Sequence, residues 1–105
     1  MKRLIYFLLF PAAFARHADN GKHLFEKFGC YSCHGHRGQR SSAGARLAPR
    51  PISQERLIAY VRHPSGTMPP YTAKLATDAQ LADIRAYLAS IPAPPPLKDI
   101  PLLTQ

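Results

Sequence analysis

The chain is short of several features that would each name a function. It holds only two cysteines in 105 residues, Cys30 and Cys33. No framework of several disulfides can brace it, and a bond between these two would close too small a loop to stabilise much. No second Cys/His pair stands at the spacing of a structural zinc site, for His17, His23, His36 and His63 are scattered. A redox Cys-x-x-Cys wants a βαβ setting, and the pattern offers none. Acidic residues are scarce, six against fourteen Lys and Arg, for a net charge of +8. That balance suits an acidic partner or a membrane surface, and no nucleic-acid recognition motif accompanies it. No apolar run reaches the roughly 20 residues that span a bilayer. The run from Leu4 to Ala15 is twelve residues long and contains Pro11.

That short run reads as the core of a secretory signal peptide, residues 1–15. Lys2 and Arg3 supply the positive start, and Ala13-Phe14-Ala15 is a small-x-small cleavage site before Arg16. An uncleaved membrane anchor is the alternative. Cleavage would leave one domain with 12 basic and 6 acidic groups, a net +6. Export would place it in the periplasm.

What is present is concentrated in Gly29-Cys30-Tyr31-Ser32-Cys33-His34-Gly35. Cys-x-x-Cys-His is the attachment pattern of a c-type haem. Two thiols three positions apart on a helical turn can each add to one haem vinyl group. His34 then lies under the iron and offers an imidazole nitrogen as proximal ligand. The cofactor expected is therefore one covalent haem c with its iron. Two propionates would bring the net charge to +4. A chain this small buries little apolar surface, so the macrocycle acts as part of the core and the apo form is expected to fold poorly.

Around the motif the pattern is helical. Asp19 or Asn20 can cap a helix running to about Phe28, with Leu24, Phe25 and Phe28 on one face. His23 and Lys27 lie on its polar side. Gly21 permits close approach of another helix or merely marks a start. His36 to Pro51 is loop, with Arg37, Arg40, Arg46 and Arg50 close together as a solvated segment or a docking surface. Ser53 caps a second helix, Gln54 to about His63, with Leu57, Ile58 and Val61 as its apolar face. Pro64 ends it. Thr77-Asp78-Ala79-Gln80 is a capping box that opens a last helix, to about Ile91, striped by Leu81, Ile84, Leu88 and Ile91. The tail, 92–105, carries five prolines. It favours polyproline II over helix. Its Leu97, Ile100, Leu102 and Leu103 can strap the domain's own surface or meet a partner.

The segment Gly21-x-x-Leu24-Phe25-x-x-x-Gly29-Cys30-x-x-Cys33-His34-Gly35 resembles the opening of a class I c-type cytochrome. The resemblance covers about residues 19–91. It implies an all-α cytochrome c fold, three to four short helices wrapped around one covalent haem, in a domain spanning 16–91. It puts Gly21 and Phe25 against Tyr87 and Leu88 of the last helix. It also implies Pro49 as the proline whose carbonyl accepts the proximal histidine's ring N–H, although the family's Gly-Pro-x-Leu reads Ala48-Pro49-Arg50-Pro51 here. The distal ligand it implies is Met68, in the Met-Pro turn Pro64-Ser65-Gly66-Thr67-Met68-Pro69-Pro70-Tyr71. Apart from Met1, Met68 is the chain's one methionine. A core gap-filler is the ordinary job of that residue type, and His63 is the rival ligand.

With haem, His34 and Met68 filling six positions on iron, the resemblance implies a one-electron carrier rather than an enzyme. Its partners would be a redox donor and acceptor, a dehydrogenase or an oxidase of a respiratory chain. It would act as a free carrier or as the electron-accepting subunit of a dehydrogenase complex, with peripheral membrane association left open. The alternative is a peroxidase or a gas-sensing haem protein with an open distal site.

Overall fold

The longest helix, α1, runs from Lys2 to Lys27 without a break. The structure is a computed structural model that describes residues 2–39 and 43–103; Arg40 of the basic loop, Met1 and Gln105 lie outside the described residues. Asp19 and Asn20 therefore do not start the helix. Neither glycine nor proline stands between Ala12 and Asn20, so nothing there stops it. Asn20 spends its side chain elsewhere: its amide donates to Asp83 Oδ2 at 2.7 Å.

Three further helices follow, α2 (Tyr31–His34), α3 (Gln54–Arg62) and α4 (Asp78–Ser90). No strand occurs among the described residues. Ser53 caps α3 by accepting from the Arg56 amide. His63 leaves helical geometry at φ −137°, because Pro64 disfavours the helical region for the residue before it. Thr77 and Gln80 form the reciprocal capping box at the head of α4, satisfying two amides that no helical carbonyl can reach.

The core sits where α1 crosses α4. Phe25 is fully buried and Leu24, Leu81, Ile84, Tyr87, Leu88 and Ile91 are nearly so. The Phe25 and Tyr87 rings meet at 5.6 Å in a tilted pair, a geometry that aligns ring edge with ring face. Gly21 is what lets the helices touch. A Cβ there would strike the Asp83 carbonyl oxygen and approach Tyr87 Cβ to 2.9 Å. Beside it the His17 ring meets Asp83 at 2.6 Å. Leu57 of α3 closes the core from another side, with Ile58 and Val61 packed against it.

The tail departs from the expected extended form. Leu97–Asp99 and Pro101–Leu103 are short 3₁₀ turns. The first closes through the amides of Asp99 and Ile100 onto Pro96 and Leu97, bonds that no proline has to donate. Leu97 and Leu102 are exposed, not laid on the domain. Gln39 holds the start of the tail through the Pro92 carbonyl.

Candidate functional site

The site begins where α1 ends. Gly29 adopts φ 77°, the left-handed conformation a glycine takes without steric cost. The Cys30 amide then reaches back to the Phe25 carbonyl and the Gly29 amide to Glu26, the paired bonds of a Schellman stop. Cys30 is thereby set against the core, and the single turn α2 delivers Cys33 and His34. Cys30 is half-buried, and burial pushes its thiol up to about 11, only partly offset by a backbone hydrogen bond. Such surroundings favour a neutral sulfur over a thiolate.

His34 Nδ1 lies 2.8 Å from the Ala45 carbonyl. A carbonyl only accepts, so Nδ1 carries the proton and Nε2 keeps its lone pair for a metal. The accepting carbonyl is therefore Ala45 and not Pro49. The loop explains the shift. Leu47 and Ala48 both donate to the Gly38 carbonyl, at 2.7 and 2.9 Å, which anchors the segment and turns Ala45 toward the histidine. Gly44 packs so tightly that a Cβ would collide with the Cys33 carbonyl oxygen and lie 2.9 Å from His34 Nδ1. The missing Gly-Pro-x-Leu was the sequence's signal that this loop is built differently.

Cys30, Cys33, His34 and Met68 all line one cavity of about 580 Å³, within the range of cofactor pockets. Phe25, Leu57, Val61, Ile84 and Leu88 supply apolar wall. Met68 is half-buried there, whereas His63 is exposed at the end of α3 and does not belong to the described lining. His17, His23 and His36 are exposed as well; His36 stacks on Tyr31 at 4.9 Å. The basic loop divides. Arg46 and Arg50 line the cavity, while Arg37 faces a separate groove beside Tyr87.

Three residues flanking Met68 in sequence, Tyr60, Arg62 and Tyr71, hold the loop through hydrogen bonds that the sequence reading did not foresee. The Tyr60 hydroxyl meets Ser65 at its carbonyl and its Oγ, 3.2 and 3.0 Å. The Tyr71 hydroxyl donates to the Phe28 carbonyl at 2.6 Å, and burial raises its pKa, with Cys30 and Cys33 adding to the rise. Arg62 donates to the Tyr71 carbonyl at 3.0 Å and to Asp78 at 2.7 Å.

A haem suits this cavity: paired sulfurs three positions apart, an imidazole with its outer nitrogen already committed, a thioether, apolar walls and two arginines available to propionates. A helical fold closed on such a site defines a class I monohaem c-type cytochrome. The chain belongs to the family described as cytochrome C oxidase, cbb3-type, subunit III, whose model matches residues 16–88. No curated protein and no solved structure matches it. The domain carries covalent haem c with its iron, and the family is one of electron-carrying cytochromes.

Proposed function

We propose that the protein is an exported carrier of single electrons that works in the periplasm and is not itself an enzyme. Cys30 and Cys33 form the two thioether bonds, His34 is the proximal ligand and Met68 the distal one. Residues 1–15 are a signal peptide removed after Ala15, leaving the domain 16–91 and the tail. The reading is carried by the meeting of all four side chains on one cavity while His63 stays outside its lining. When bound, the haem supplies reversible one-electron chemistry at iron. The chain's part is to hold both axial donors in place, so that little rearranges on electron transfer. Arg46 and Arg50, exposed where they line the cavity, present positive charge to an acidic redox partner, a dehydrogenase or an oxidase. Service as a dehydrogenase subunit is favoured by Leu97 and Leu102, which stand exposed on the tail.

Visible spectra of the purified holo-protein test the carrier reading. A low-spin ferric spectrum without peroxide turnover is expected. A high-spin spectrum with peroxide turnover would place the protein among haem enzymes.

A further inference from the structure

Tyr71 lines the cavity and is tethered through its amide, its carbonyl and its hydroxyl. Its amide donates to the Val61 carbonyl at 2.9 Å, its carbonyl accepts from Arg62, and its hydroxyl donates to Phe28. Its ring also leans on the Phe28 ring at 6.2 Å. Arg62 is in turn held by Asp78 at the first turn of α4, and its side chain is only 17% exposed. The segment just after α1, the end of α3 and, through Arg62, the start of α4 thus fix one residue.

Between this anchor and Met68 stand only Pro69 and Pro70. Each proline locks φ near −65°, so the pair transmits the position of Tyr71 to Met68 as a stiff arm. The other side of the loop is softer, with Gly66 at φ 73° and Ser65 held by one tyrosine hydroxyl. The Phe28 carbonyl that Tyr71 grips lies two residues before Cys30. The arm that carries Met68 is therefore fastened to the segment that carries the attachment cysteines.

We infer that Arg62 and Tyr71 are positioning residues for Met68, holding its thioether at the haem face by fixing the Pro69-Pro70 arm against the end of α1. This rests on Met68 being the distal ligand. A loop that leaves its seat a small fraction of the time admits a competing ligand in proportion to that fraction. Loosening the anchor raises the fraction and tightens the apparent binding of the competitor.

The test is titration of the ferric full-chain holo-protein with imidazole. Tyr71→Phe loses one neutral hydrogen bond and is expected to bind imidazole about two- to tenfold more tightly. Arg62→Met loses a charge-assisted bond to the arm and exceeds about tenfold. Arg62→Lys recovers part of the loss. Asn20→Ala removes a hydrogen bond of similar length at the α1–α4 crossing and leaves imidazole binding as in wild type. Wild-type affinity in both Tyr71→Phe and Arg62→Met overturns the inference. So does an equal tightening in Asn20→Ala, which marks a general loss of stability. Should Arg62→Met yield no holo-protein, Tyr71→Phe against Asn20→Ala decides alone. Met68→Ala separates the two levels. If it binds imidazole far more tightly than wild type while the anchor variants do not, only the inference fails. If it behaves as wild type, the ligand reading fails and takes the inference with it.

Discussion

His34 and Met68 reach the same cavity from supports of different kinds. His34 stands on a single helical turn whose neighbours carry both cysteines, behind a glycine stop and beside a carbonyl eleven residues away. Almost everything that places it is local in sequence. Met68 stands on a proline arm anchored by Arg62 and Tyr71, with Tyr60 holding the loop's other side at Ser65, and the longest of these tethers spans 43 residues. The His34 side is organised by one motif and the Met68 side by several separate tethers, of which that of Tyr71 reaches back to Phe28.

The contrast breaks most sharply in the cofactor itself. Cys30→Ser with Cys33→Ser should leave no haem on the polypeptide after acid-organic extraction, whereas Met68→Ala should retain it fully. Loss of covalent haem in Met68→Ala would show that the distal side takes part in attachment.

A smaller effect is expected from paired glycines. Gly44→Ala adds a methyl where Cys33 and His34 leave no room and should cost about 1–3 kcal/mol by overpacking. Gly66→Ala meets nothing within 4 Å but keeps a positive φ, at a cost of about 1–2 kcal/mol. Only Gly44→Ala should also disturb His34, the proposed proximal ligand, read as a shift of the Soret band at unchanged haem content. An equal spectral shift in both variants would erase the proximal and distal distinction.

The smallest effect concerns pH. The Tyr71 phenol is raised above its usual pKa by burial first. The Tyr87 phenol is also raised by burial, with Arg37 opposing and Glu26 adding. Each hydroxyl donates to a carbonyl, that of Phe28 or His36. A raised phenol contributes stability fully below its ordinary pKa of about 10 and loses it as pH rises through the folded value. Urea midpoints measured from about pH 9 to about pH 11 should fall in wild type. Tyr71→Phe should start lower and fall less. A parallel fall in both proteins would show that the Tyr71 hydroxyl does not titrate with unfolding.

Legibility followed the same division. The capping box Thr77–Gln80, the Ser53 cap and the Pro64 stop are local, and each forms where the sequence placed it. The meeting of Gly21 and Phe25 with α4 was legible because the resemblance carried it. The start of α1 was misread, since Asp19 and Asn20 look like caps until Asp83, 63 residues beyond Asn20, claims the amide. Ala45 was missed for a related reason. Its carbonyl reaches His34 from a loop that the Gly38 carbonyl holds at Leu47 and Ala48. Arg62 and Tyr71 have no characteristic spacing, so their partners Asp78 and Phe28, 16 and 43 residues away, reveal them only after folding.

Met68 as the sixth ligand is tested most directly by the weak long-wavelength absorption of the ferric holo-protein, the band to which methionine ligation gives rise in cytochromes c. Wild type and His63→Ala should both show it, and Met68→Ala should lose it while the haem stays covalently bound. Absence of the band in wild type, with a spectrum that changes in His63→Ala and not in Met68→Ala, would make the iron bis-histidine and contradict the assignment.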